Sequence, residues 1–291
     1  MFKANQYRYN GRKRFSIDDT STKSEPLYTS EADRNKQLAD LAERMDQAQN
    51  RMHADEQFGL LVVLQAMDAA GKDSSIRRVL RGVNPSRFMI QPFKKPEKES
   101  INHDFLWRFW QELPERGYIG VFNRSYYEEV LAMRVHPERL REGHIPAHLL
   151  PENDDVLWKQ RFGDIVHFED YLFRNGFPTL KFYLHVSKEE QGKRLIARLQ
   201  DPEKRWKFSE SDLEERAFWP AYMQAYEDTI NATATKNNPW YVIPSDDRLN
   251  QQIMISHIIV ELLESLPTRF PQANARKASA LIKQIEEQDK A

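Results

Sequence analysis

Residues 58–80 read FGLLVVLQAMDAAGKDSSIRRVL, and this stretch decides the fold. The apolar run at 60–64 carries no polar alternation, the pattern of a strand buried on both faces in the middle of a parallel sheet. It runs into the small-residue segment QAMDAAG at 65–71, then Lys72, then residues whose apolar spacing predicts a helix. From Ala66 to Lys72 the spacing is that of a G-x-x-x-x-G-K phosphate loop, with alanine in the first glycine position. Small residues let the backbone aim its N–H groups at a phosphate, the helix N-terminus adds partial positive charge, and Lys72 adds a full one. Ala69, Ala70, Gly71, Lys72, Asp73 and Ser74 are the expected phosphate contacts. The Ser/Thr that usually follows the lysine and holds Mg²⁺ is replaced by Asp73, so a metal needs another ligand. Asp68, inside the loop, is the candidate. The plain alternative is a tight strand-to-helix turn with a surface lysine. Agreement of strand, loop and helix favours the phosphate reading.

Outward from this unit, residues 1–29 are polar and irregular and read as a disordered or surface-draped tail, although Arg8, Arg12, Lys13 and Arg14 also suit an arm gripping a neighbour or a phosphate. Residues 30–52 read as an amphipathic helix covering the first strand. Further strands are expected at 87–93, 118–122, 179–186 and 240–243, with helices at 97–113, 125–131, 156–173, 187–200, 212–230 and 249–266. Strands alternating with helices give an α/β class with a five-stranded parallel sheet. The expected organisation is an arm and covering helix at 1–57, a core at 58–268 with a helical lid at about 194–215, and a charged tail at 269–291.

Ligands of open parallel sheets sit at the carboxyl ends of the strands. Three of those ends carry phosphate-type chemistry: the loop itself, then Lys94 with Lys95, then Asn123 with Arg124. Arg124 and Glu128 have the spacing of an ordinary helical ion pair. Beside a phosphate loop without its metal hydroxyl, Arg124 reads as a clamp on phosphoryl oxygens and Glu128 as a metal or substrate contact. Arg198, Lys204, Arg205 and Lys207 lie on and after a helix where a lid would close over phosphates, while Arg194 reads as a solvated charge. Trp206, Trp219, Tyr222 and Tyr226 read as lid packing. His144 and His148 have a metal-type spacing but no third ligand.

Lys and Arg total 43 against 44 Asp and Glu, a net charge of −1, so an anion site must be a local cluster and a nucleic-acid partner is not expected. Cysteine is absent, which excludes disulfides and thiolate chemistry. No stretch reaches the roughly 20 apolar residues of a membrane span, and the N-terminus has no apolar signal core; a cytoplasmic location is the expectation.

Five segments together carry a resemblance: LQAMDAAGKDS at 64–74, HDFLWR at 103–108, GVFNRSYYEEVLAMRVH at 120–136, ARLQDPEKRWKFS at 197–209 and PWYVIP at 239–244. The chain resembles the second family of polyphosphate kinases, within it the group called class III, over roughly residues 55–266. The resemblance implies a thymidylate-kinase-like P-loop fold with three α/β/α layers and a helical lid. It implies Mg²⁺-dependent transfer of the terminal phosphoryl of inorganic polyphosphate to AMP and ADP, with GMP and GDP left open. It also implies a homo-oligomer, dimer or tetramer. Matching positions carry the family roles: Asp68 to metal and acceptor activation, Lys72 and Arg124 to phosphate, Arg198 and the lid lysines to the chain or acceptor phosphates. Other groups of the family have aspartate at Asn123 and asparagine at Glu128; both residues here match the group that accepts AMP as well as ADP. The rival on the same fold is an ATP-dependent nucleoside monophosphate kinase, and a second is a non-catalytic polyphosphate- or nucleotide-binding protein.

Overall fold

The computed structural model describes residues 2–94, 98–142, 145–146, 148, 154–272 and 275–289. Its strands are β1 (Arg8–Tyr9), β2 (Leu60–Gln65), β3 (Phe88–Pro92), β4 (Ile119–Asn123), β5 (Thr179–His185) and β6 (Trp240–Pro244). The α-helices are α1 (Glu31–Asp55), α2 (Lys72–Val79), α3 (Lys98–Ile101), α4 (Trp107–Trp110), α5 (Ala132–Val135), α6 (Asp154–Arg174), α7 (Lys188–Gln200), α8 (Glu210–Ala217), α9 (Trp219–Thr233), α10 (Arg248–Ser265) and α11 (Ala275–Gln288). One sheet runs in the order β1-β6-β5-β2-β4-β3. Strands β2 to β6 are parallel, as their apolar runs predict.

Every residue of β2 and β5 is buried, because helices cover both faces. Helices α1, α2 and α10 pack together as one layer, and α6 packs with α9 in another. The connection from β2 runs toward the β3 edge and that from its neighbour β5 runs the other way to β6, so the direction of travel across the sheet reverses between these two adjacent strands. A crevice opens at the carboxyl ends of strands at such a reversal, and the phosphate loop lies there.

The sheet departs from the expected five strands by one. β1 adds antiparallel to the edge of β6, pairing Arg8 with Tyr241 and Tyr9 with Trp240. This pairing occupies a sheet edge that would otherwise present unpaired peptide groups. The arm is therefore no loose tail. Phe15 is fully buried against the rings of Tyr183 and His185, and its peptide is bracketed by Asn231, which accepts from Phe15 N (2.8 Å) and donates to Phe15 O (2.9 Å). A few anchors amid polar neighbours hold the segment, so average composition misreads it.

Two expected helices are interrupted. The 97–113 periodicity breaks before α4, where the Asp104 carboxylate accepts from Leu106 N (2.9 Å) and its carbonyl from Trp107 N (3.1 Å). The 212–230 helix is two, α8 and α9, divided at Phe218, with Pro220 in the first turn of α9 where its missing N–H costs nothing. Among the described residues no helix is long and apolar enough to cross a membrane.

Candidate active site

Gln65 ends β2 and the chain turns sharply through the loop. Ala69 has φ +61° and Gly71 φ +109°. The first is left-handed backbone that costs a non-glycine residue about 1–2 kcal/mol, and the second favours glycine. Such backbone turns successive peptides to one side, as a phosphate cradle requires. The Lys72 ammonium, mostly buried, donates to Ala66 O (2.7 Å) and Met67 O (3.3 Å) across the loop mouth. Burial pushes its pKa down, against the pull of Asp68.

Asp73, standing where the loop usually has Ser or Thr, meets the residue that ends β4. The Asn123 amide at the end of β4 donates to Asp73 Oδ1 at 2.6 Å. With an amide in place of the usual carboxylate, Asp73 gains a partner instead of a repulsive neighbour.

Arg124 follows, also in left-handed backbone (φ +64°), with its N–H bonded to Leu64 O (3.1 Å). That geometry swings its guanidinium over the loop, where Nη2 lies 2.7 Å from Asp68 Oδ1. Burial pushes the Asp68 carboxyl up, but the charges of Lys72, Arg124 and Arg198 outweigh it and hold it below the usual carboxylate value. Glu128, ahead of Asp68, raises the pKa of Arg124 despite burial. The Gln65 amide, oriented by its neighbours, donates to Glu128 Oε1 (2.8 Å) and accepts from Ser125 N (3.1 Å). Asp68, Lys72, Arg124 and Glu128 thus share one electrostatic neighbourhood.

Helix α7 joins it through Arg198, whose Nη1 lies 3.3 Å from Asp212 Oδ2 on α8. Burial and the charge of Asp68 both raise the Asp212 pKa. Arg194, by contrast, is not a solvated charge. Its guanidinium donates to Ala70 O (3.0 Å), Ser245 O (2.7 Å) and Asp246 O (2.9 Å), bracing the phosphate loop against the end of β6. Gln191 adds a donor to Asp68 O (3.0 Å).

Glu215 ties α8 to the residues around it. It accepts from Tyr222 OH (2.6 Å) and Arg139 (3.2 Å), and bonds His136 Nε2 (2.8 Å). Burial pushes the carboxyl up, yet these three hydrogen bonds hold it below its ordinary 4.5. A lowered folded value means that the ionised group stabilises the fold above about 4.5 and that this contribution is lost as the pH falls through the folded value. Glu215→Gln is therefore expected to cost about 1–2 kcal/mol near neutrality, with the gap to the parent closing in acid. Denaturant titrations across that range check it; a gap independent of pH counts against this tie.

Not every expected residue converges on the rim. The exposed Lys94 is held at the end of β3 through its carbonyl, which accepts from Arg108 (2.8 Å); Lys95 lies outside the described residues. Lys204 pairs locally with Asp201, Arg205 donates to Leu199 O (2.8 Å), and Lys207 lies over the Trp206 ring. These three sit on the exposed turn after α7. Trp206 is 77 % exposed and packs on no core, contrary to expectation, because the same turn carries it. Tyr226 is no lid residue either: it is buried, stacked on Tyr183 at 4.2 Å, with burial and then Glu128 raising its pKa well above the ordinary value. It forms the floor of the site. The possible His144–His148 pair is not testable, since His144 lies outside the described residues. Gln65, Gln191, Asp212 and Glu215 were invisible as site residues in the sequence, because polar side chains without a motif carry no signal of where they fold.

Among the described residues no group of three His, Cys, Asp or Glu could hold a metal. Asp68 and Glu128 nevertheless suit Mg²⁺, which binds through one or two carboxylates and completes its octahedron with water and substrate phosphates. All-oxygen donors beside a phosphate loop fit that demand.

Comparison with known proteins identifies the family. The family described as polyphosphate kinase 2 matches residues 28–271. The chain is 42% identical over 281 residues to an ADP-polyphosphate phosphotransferase of Rhodopseudomonas palustris, covering 96% of each. It is 42% identical over 271 residues to an AMP/ADP-polyphosphate phosphotransferase of Meiothermus ruber, covering 93% of this chain and 94% of the relative. The crystal structure of a polyphosphate kinase 2 from Arthrobacter aurescens superposes with a TM-score of 0.85 at 35% identity, covering 97% of this chain and 96% of that one. Matched over most of its length in both sequence and fold, the chain belongs to the polyphosphate kinase 2 family.

Proposed function

We propose that this enzyme transfers the terminal phosphoryl group of inorganic polyphosphate to AMP and to ADP, with Mg²⁺ held through Asp68 and Glu128. The observation that carries the reading is the 2.7 Å contact of Arg124 with Asp68 at the mouth of a phosphate loop whose lysine is in place. Phosphoryl transfer asks the protein mainly for positioning and charge neutralisation, and this rim supplies both.

In this structure Arg124 neutralises Asp68, and Lys72 is spent on loop carbonyls. Phosphate oxygens compete for both cations. Their arrival frees the Asp68 carboxylate to orient the acceptor; with Glu128 it would hold the metal. An oxygen of the nucleotide's terminal phosphate then attacks the end phosphorus of the polymer in line. The new P–O bond forms as the bond to the penultimate phosphate breaks, leaving a chain one unit shorter. Lys72, Arg124 and Arg198 stabilise the equatorial oxygens. A magnesium ion held by Asp68 and Glu128 would supply further charge neutralisation to the reacting phosphates. The lid excludes water, so that the phosphoryl group is not lost to hydrolysis.

AMP with polyphosphate and Mg²⁺, without ATP, is the test. Formation of ADP and then ATP supports the reading, and no product removes it. Glu128→Asn is expected to impair AMP use more than ADP use, because AMP brings one phosphate to the metal where ADP brings two. Parallel kcat/KM measurements decide this, and equal losses on both acceptors refute the assignment.

A further inference from the structure

The phosphate loop is held from outside by two side chains in opposite conditions. The donors of Arg194 meet backbone carbonyls at both ends of its brace. Gln251, in the first turns of α10, is fully buried, and neither its amide oxygen nor its amide nitrogen has a hydrogen-bond partner. It lies against the loop at Gly71: a Cβ built on that glycine would stand 3.3 Å from Gln251 Oε1. Across the α2–α10 contact, the buried Ser75 hydroxyl is unpartnered as well.

A buried amide with both ends unpaired costs free energy that an apolar side chain of similar shape would avoid. The position is therefore explained by a second state in which the amide is paired. The adjoining group that changes on loading is the loop. Gly71 O is taken by Ser74 Oγ (2.8 Å) and Ser75 N (3.0 Å) and Ala70 O by Arg194 (3.0 Å), so a small shift of the already turned loop as a phosphate draws on it would leave a peptide N–H for the Gln251 oxygen and the second lone pair of Ala70 O for its nitrogen. Glutamine has that double capacity; Arg194 donates only.

We propose that Gln251 is a positioning residue for phosphoryl transfer, one whose amide is paired with the Gly71 segment of the phosphate-loaded loop and unpaired in the free enzyme. The proposal rests on the phosphate-loop reading given above. It assigns to α10 a share in substrate affinity that no contact of the free protein displays. A buried amide left unpaired lowers stability. On loading, that deficit is relieved and adds to binding.

The test is Gln251→Met in the full-length protein, which keeps the length of the side chain and removes both polar atoms. Thermal unfolding is followed with and without tripolyphosphate, alongside kcat and KM for polyphosphate. The expected result has opposite signs: a midpoint for the free variant equal to or above the parent's, with tripolyphosphate affinity and kcat/KM about ten-fold lower. A residue serving only the fold would not give that combination. Unchanged affinity overturns the proposal. A variant less stable than the parent, or unfolded, also overturns it, because the amide would then be partnered already in the free state. Gln251→Leu, read the same way, guards against a fault peculiar to methionine. If tripolyphosphate fails to stabilise the parent itself, the phosphate-loop reading falls and the proposal with it.

Discussion

Lys72→Ala is expected to lower kcat by roughly a thousand-fold while leaving the protein at least as stable as the parent. The loss follows from the position of the ammonium at the loop mouth, within reach of Ala66 O and Met67 O. Removing one preorganised donor to developing charge costs about 10²–10³ in turnover, and a full cation in a mostly buried site stands at the upper end. The stability expectation has its own sign. Burial lowers the pKa of Lys72 in the folded state. Between that lowered value and the unfolded one the folded chain binds fewer protons, so stability rises with pH there, and below it the buried charge counts against folding. Alanine removes that charge together with its two hydrogen bonds to carbonyls, which offset one another. Single-turnover kinetics and urea unfolding read the two halves separately. Near-normal turnover removes the loop from the mechanism; collapse of the fold makes Lys72 a structural residue.

Asp68→Asn comes second, with an expected loss of about a hundred-fold in kcat and a weakened dependence on Mg²⁺. The carboxylate is ionised at every working pH, because Lys72, Arg124 and Arg198 hold its pKa down against burial. Asparagine keeps the shape and a carbonyl acceptor for Arg124 but carries no charge for a metal. A Mg²⁺ titration of the variant is expected to need far higher concentrations for half-maximal rate. An unchanged titration with a reduced rate would leave Asp68 as an anchor for Arg124 and nothing more.

Both variants touch residues legible in the chain itself, and others were not. Lys72 and Asp68 lie within a few positions of each other in a motif whose geometry is local. Arg124 is legible because it ends a strand, and parallel strands bring their ends to one rim. Arg194 shows the opposite case. Periodicity reads it as a solvated charge, while the fold spends it on carbonyls of residues as far away as Ser245 and Asp246. The same distance hides Glu215, whose partners His136 and Arg139 lie 79 and 76 positions away along the chain. Lys204, Arg205 and Lys207, which read as site cations in the sequence, make local contacts on the exposed turn after α7.

Residues 58–80 by themselves determined a buried strand, a tight turn with phosphate-loop spacing and a helix, because backbone burial, left-handed turns and helix starts depend on neighbours in the chain. Only the tertiary structure decided which distant side chains meet that turn: Arg124 over Asp68, Arg194 beneath Ala70, Gln251 against Gly71. Those pairings depend on how helices pack across a sheet, and packing sums weak contacts over the whole chain.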